Sequence, residues 1–180
     1  MVPGKTVFLA GFMASGKSKV GPLVAHVTDR AYVDTDDLIV ETAGKSIPEI
    51  FEADGESVFR DLEHACVQRA GEMEDAIVAL GGGAVTQDRN WDVIGTTGLC
   101  VCIRASVDTI FDRVTRKAAE RPLLAGLDDE GRRARIAEML EEREPFYARG
   151  DLFVTSDDVK TPEETAVEVI SLLRDFGGAP

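Results

Sequence analysis

The sequence predicts a three-layer α/β/α domain built on a five-stranded parallel sheet, and two patterns in the chain predict it. Short apolar runs rich in β-formers recur at 6–10, 32–33, 76–80, 99–103 and 152–154. Stretches with helical spacing of apolar residues separate them, and strands alternating with helices form a parallel sheet through crossover connections. At 180 residues, with 44% apolar and 29% charged residues, the chain suits one domain over 1–180, covered by helices on both faces. Ligands of such sheets gather at the carboxyl ends of the strands.

The first strand, TVFLA, runs into GFMASGKS, a complete match to G-x-x-x-x-G-K-[ST] at Gly11, Gly16, Lys17 and Ser18. Glycines let backbone N–H groups converge on a phosphate at a helix N-terminus, where the helix dipole adds a favourable field. In such a P-loop Lys17 is expected to reach the β- and γ-phosphates, and Ser18 to coordinate Mg²⁺. The helix KSKVGPLVAHV follows, with Pro22 in its first turn or at a kink.

The second strand ends in YVDTDD. In extended backbone Asp34 and Asp36 face one side, which suits one carboxylate near hydrated Mg²⁺ and one that accepts a proton from, or aligns, an attacking hydroxyl. The same pair could also be an N-cap and its solvated neighbour. Next, SIPEIFEADG opens on a capping box of Ser46 with Glu49 and stops near Gly55. ESVFRDLEHACVQRAG spaces Phe59, Leu62, Cys66 and Arg69 as a helix does. It also sets Arg60 one turn before Glu63, where an ion pair could orient the guanidinium.

The third strand ends in ALGGGAV. Gly81, Gly82 and Gly83 can bring backbone N–H groups to a ligand, through φ > 0 and the lack of a Cβ, or can make a tight turn into the helix of NWDVIG. No acidic residue ends this strand, so more of the metal work falls to Asp34. In GLCVCIRA, Cys100 and Cys102 point to one face of a buried strand as small core hydrophobes. The helices SVDTIFDRVTR and GRRARIAEMLEEREPFYARG flank a stretch rich in Ala, Gly and charge, which suits a mobile lid over about 117–131 carrying Arg121. Arg143 stands two residues before Pro145, near a helix end. The last helix opens on TPEE, with Thr161 as N-cap, Pro162 first and Glu164 closing the box.

The net charge of −13 argues against nucleic acid or an anionic membrane as partner, so an anionic ligand must meet a local basic cluster. No run approaches the roughly 18 apolar residues of a membrane span. The three cysteines are too few for a disulfide framework or a four-ligand zinc site. MVPGKT enters a strand at once, which leaves no room for a leader peptide and predicts a cytoplasmic protein.

Taken in order, GFMASGKS, DTDDLI, IFEADGESVFRDLE, ALGGGAV, RPLL and REPFY resemble the shikimate kinase family over residues 5 to about 175. The resemblance implies a nucleoside monophosphate kinase-like P-loop fold with a mobile lid, substrate-binding helices at about 36–70, and a monomer. It implies ATP and Mg²⁺ as cofactors and shikimate as the acceptor of the γ-phosphoryl group at its 3-hydroxyl. Asp36, Arg60, Arg143, Gly81, Gly82 and Gly83 then bind shikimate, with the arginines on its carboxylate. Nucleotide falls to Gly11, Ala14, Ser15, Gly16, Lys17, Ser18, Lys19, Arg116 and Arg121, and Mg²⁺ to Ser18 and Asp34. Lys17, Asp36 and Arg121 become the catalytic set. Arg116 stacks on adenine opposite 160–162, with Arg113 as the alternative.

Two residues depart from the family's loop: Ala14 stands where glycine is usual, and Lys19 where threonine is usual. Altered nucleotide affinity is the expected consequence. A gluconate-type or nucleoside monophosphate kinase would share loop and lid but not the Asp36, Arg60, glycine-triplet and Arg143 set. A catalytically silent binding homologue would have no need of the aspartate pair, and a GTPase-like switch would carry an N/T-K-x-D motif, which the chain lacks.

Overall fold

Strand β1 (Thr6–Ala10) lies at the centre of the sheet, flanked by β3 (Ala76–Ala79) and β4 (Gly98–Arg104), with β2 (Ala31–Asp34) and β5 (Leu152–Thr155) at the edges. The order β2-β3-β1-β4-β5 is parallel throughout, as the alternating pattern requires. The structure is a computed structural model that describes residues 4–116, 122–124 and 126–177. Eight helices are among the described residues: α1 (Lys17–Thr28), α2 (Thr35–Ala43), α3 (Ile47–Ala53), α4 (Gly55–Gly71), α5 (Asp88–Thr97), α6 (Val107–Arg116), α7 (Asp129–Tyr147) and α8 (Pro162–Gly177).

All of β1 is buried, and its period of two splits the core. Val7 and Leu9 pack with Val20 and Val24 of α1 and Val169 and Leu173 of α8. Phe8 and Ala10 face the other layer, with Val67 of α4, Ile94 of α5, Ile110 of α6 and Met139 of α7. Cys100 and Cys102 lie on that second side, buried and free, and burial pushes the Cys102 thiol up to about 11. They are core side chains, as their alternation indicated. A third cluster of Ile39, Ile50, Phe59 and Cys66 ties α2, α3 and α4 together beside the sheet.

Local signals set the helix ends. Ser46 and Glu49 exchange both bonds of the capping box, and Thr161 with Glu164 repeats the device before α8. Gly55, at φ 86°, separates α3 from α4. Pro22 lies inside α1, where its missing N–H would have served the Ser18 carbonyl; the helix absorbs the loss one turn from its start. Of the expected lid, 117–121 and 125 lie outside the described residues, Pro122–Leu124 form a 3-10 turn, and α7 begins at Asp129, so 129–131 are helical.

Gly98 opens β4 beside Thr6 of β1, and a Cβ there would collide with the Thr6 carbonyl oxygen and crowd the Phe8 ring. Gly98→Ala should therefore lower stability by about 1–3 kcal/mol in urea denaturation, through separation of β4 from β1.

Candidate active site

The carboxyl ends of β1, β2 and β3 open on one cleft of about 570 Å³. At the end of β1 the chain turns so tightly that a Cβ on Gly11 (φ 146°) would collide with the Ile103 carbonyl. Gly16, at φ 110°, is the N-cap of α1 and makes no side-chain cap bond, which leaves the first N–H groups of the helix for an anion. Lys17 Nζ donates to the carbonyls of Gly11 (2.7 Å) and Phe12 (3.1 Å), so its ammonium is folded back over the loop. Ser15 is fully buried, and its Oγ has no hydrogen-bond partner among the described residues. Ser18 and Lys19 are exposed and line the cleft.

Ala14 adopts φ 58°, a left-handed conformation that costs a residue with a Cβ about 1 kcal/mol relative to glycine. Glycine would adopt this conformation freely; here the alanine bears the strain.

Asp34 and Asp36 both line the cleft, but not for the reason the strand pattern suggested. Asp34 is the last residue of β2 and the N-cap of α2: its Oδ1 accepts from Asp36 N at 3.0 Å. Asp36 already belongs to the first helical turn, so extended-strand alternation does not relate the two carboxylates. Burial raises the Asp34 carboxyl above its ordinary range, against the bond from Asp36 N and the charge of Lys17. Among the described residues no group of three or more His, Cys, Asp or Glu side chains could chelate a metal. A hard cation that keeps waters and takes phosphate oxygens needs less, and the Ser18 hydroxyl with the Asp34 carboxylate nearby fits Mg²⁺.

Of the readings offered for the glycine triplet, the turn and the lack of a Cβ are found and positive φ is not. None of Gly81, Gly82 and Gly83 has positive φ; the stretch needs glycines because side chains crowd onto it. A Cβ at Gly81 would stand 2.6 Å from Asp36 Oδ1, and one at Gly83 would stand 2.8 Å from Arg60 Nη1. At Gly82 it would lie 3.8 Å from Arg143 Nη1 and 3.5 Å from the Met13 backbone N. The missing β-carbons of Gly81 and Gly83 let Asp36 and Arg60 close on this strip of backbone, and Arg143 meets it at Gly82 at ordinary contact distance. A 3-10 turn, Ala84–Thr86, leads on to α5.

The arginines are held in place. Arg60 pairs with Glu63 at 2.8 Å, as the one-turn spacing indicated, and with Glu56 at 3.2 Å. Glu63 is 1% exposed; burial raises its carboxyl, opposed by the Arg60 guanidinium. Arg143 donates to the Gly82 carbonyl at 3.3 Å, and its guanidinium lies 5.4 Å from the centre of the Phe12 ring. Arg116 is exposed on the cleft wall, 3.9 Å from Asp158, and Lys160 and Pro162 line the same cleft. Arg113 is partly buried and committed to oxygens of its neighbours. Arg121 lies outside the described residues.

Three contributors escaped the sequence reading. The Tyr147 hydroxyl donates to the Gly82 carbonyl at 2.9 Å, and burial pushes it up to about 12, so it remains a donor at neutral pH. The buried Thr35 hydroxyl accepts from Gly81 N at 2.9 Å. Phe12 supplies the ring under Arg143. Each lies inside a stretch already quoted, Phe12 in GFMASGKS, Thr35 in YVDTDD and Tyr147 in REPFY, but none was given a role of its own.

A family model described as shikimate kinase matches residues 13–174. A shikimate kinase of Caldanaerobacter subterraneus subsp. tengcongensis is 42% identical over 166 residues, 92% of this chain and 94% of that one. One of Chlorobaculum parvum is 41% identical over 159 residues, 86% and 84% of the two chains. The solved structure of a shikimate kinase from Acinetobacter baumannii in complex with shikimate superposes with a TM-score of 0.89, at 27% identity over 99% of this chain and 97% of that one.

Two outcomes follow from the local strain and burial. Ala14→Gly should stabilise the unliganded protein by about 1 kcal/mol in thermal or urea denaturation. Asp34→Asn keeps a good N-cap and removes a carboxylate whose folded-state pKa is raised. A raised group favours folding while protonated and loses that contribution as pH rises through its folded pKa. The Asn variant should therefore melt higher than the parent at about pH 7, and the difference should shrink as pH falls toward about 4.

Proposed function

The chain belongs to the shikimate kinase family, and from that premise we propose how its residues share the reaction. The enzyme transfers the γ-phosphoryl group of ATP to the 3-hydroxyl of shikimate, giving shikimate 3-phosphate and ADP, a step of aromatic amino-acid biosynthesis. The observation that carries the division of labour is the convergence of Asp36, Arg60 and Arg143 on the glycine triplet, beside Lys17 and its loop.

Arg60 and Arg143 clamp the acceptor's carboxylate, because two planar guanidinium forks give directed, charge-assisted bonds that lysine would not. Glu63 and Glu56 hold one fork, and the Gly82 carbonyl and Phe12 ring hold the other, so little orientation remains to be lost on binding. Asp36 then holds the attacking hydroxyl in line and accepts its proton as the new P–O bond forms. On the donor side, N–H groups of the loop and of the first turn of α1 cradle the phosphates, and Lys17 neutralises charge growing on the transferred group. Ser18, with Asp34 nearby, would hold Mg²⁺, which would supply further charge neutralisation on the phosphate oxygens. Arg116 packs on the adenine, and Arg121 completes the catalytic set from the lid before α7.

A single domain over 1–180, acting as a cytoplasmic monomer, completes the reading. Buried free cysteines support a reducing compartment, and among the described residues no helix is long and apolar enough to cross a membrane.

ADP release with Mg-ATP should require shikimate, with gluconate and nucleoside monophosphates silent. Turnover of either of those acceptors without shikimate activity would remove the reading. Arg60→Ala and Arg143→Ala should each lose about 10- to 100-fold in kcat/KM for shikimate while ATP binding is kept. Asp36→Asn should lower kcat about 100-fold or more, with smaller changes in either ligand's affinity.

A further inference from the structure

Arg113, near the carboxyl end of α6, is the second candidate for adenine stacking, yet its guanidinium is already spoken for. Nη1 donates to the Ala14 carbonyl at 3.1 Å and to Ser156 Oγ at 3.0 Å. Nη2 donates to the Asp157 carbonyl at 2.8 Å, and Nε pairs with Asp158 at 3.2 Å. These partners come from two segments far apart in the chain, the P-loop and the turn after β5.

One of these segments is strained, and the other is shaped by its own side chain. Ala14 sits at φ 58°, which its Cβ disfavours, and its carbonyl is one of the groups that Arg113 grips. Beyond β5, the Asp157 side chain accepts from Val159 N (3.1 Å) and Lys160 N (2.9 Å), which shapes the turn that delivers Lys160 and Pro162 to the cleft wall. The Asp157 carbonyl, on the same turn, takes the shortest of the Arg113 bonds.

We propose that Arg113 is a positioning residue for the nucleotide site: it holds Ala14 in its left-handed conformation and fixes the 156–160 turn to the P-loop. The phosphate end and the base end of the cleft are thereby set at one distance before ligand arrives. Arginine is required because one planar fork must satisfy carbonyl, hydroxyl and carboxylate oxygens in several directions at once; an ammonium supplies the charge but not the reach. The inference rests on the nucleotide reading of the loop and goes beyond it, since it concerns an arginine that acts through other residues.

A cycle of Arg113→Ala, Ala14→Gly and the double substitution tests it, with Arg113→Lys beside it. Arg113→Ala should raise KM for ATP about tenfold and leave KM for shikimate within about twofold. Arg113→Lys should resemble the alanine variant, whereas a role as a mere positive charge would be rescued. In the Ala14→Gly background the penalty should shrink, because glycine holds positive φ unaided. Melting temperatures of the unliganded variants should show the same coupling; that arm needs no nucleotide, so it judges the strut even if the acceptor or donor were misassigned. Equal penalties in both backgrounds, or full rescue by lysine, would overturn the proposal.

Discussion

Parallel pairing of β1 with β3 on one side and β4 on the other is the constraint on which the rest of the molecule depends. It puts the ends of β1, β2 and β3 at the same edge of the sheet, so the P-loop, the Asp34 cap and the glycine triplet become neighbours although 70 residues of sequence separate the first from the last. The contacts that secure the register are close ones. Gly98 meets Thr6 at the start of the strand pair, and Gly11 meets Ile103 just past its end, with no room for a β-carbon in either place. Burial of β1 on both faces then fixes which side chains support the loop and which support the helices opposite.

The cleft brings basic side chains and carboxylates together: Lys17, Lys19, Arg113, Arg116 and Lys160 line it with Asp34, Asp36, Asp37, Asp157 and Asp158. With a net charge of −13 the protein repels anions on average, but screening at physiological salt limits that field to about 8 Å. Within this range Lys17, Lys19, Arg60, Arg113, Arg116 and Arg143 decide what approaches. Carboxylates placed among them carry a cost. Asp34 and Glu63 are both raised by burial, so the folded state must hold charges that water would hold better. Such local cost is what a site built for chemistry, and not for stability, displays.

Much of this was legible in the sequence because the signals were local. The loop motif, both capping boxes, the five apolar runs and the Arg60–Glu63 spacing each depend on residues within a few positions of one another, and each stands as read. The errors concern the backbone state at two strand ends. Extended alternation for Asp34 and Asp36 failed because the strand ends at Asp34 and a helix starts at once. Positive φ for the triplet failed because its glycines answer to side chains from α2, α4 and α7. Tyr147 and Thr35 act through backbone atoms 65 and 46 residues away, and no spacing rule reaches that far.

One detail of the loop bears on how the catalytic cycle closes. The Lys17 ammonium rests on the carbonyls of Gly11 and Phe12, acceptors provided by the very loop that receives phosphate. These carbonyls are placeholders. They keep a long side chain ordered, so the rotamer entropy of lysine is spent when the protein folds and not when ligand arrives. Exchange of a neutral acceptor for an anionic one then favours capture. When product leaves, the ammonium has a neighbouring partner to return to, and is spared the expense of standing bare in a cleft half closed to water.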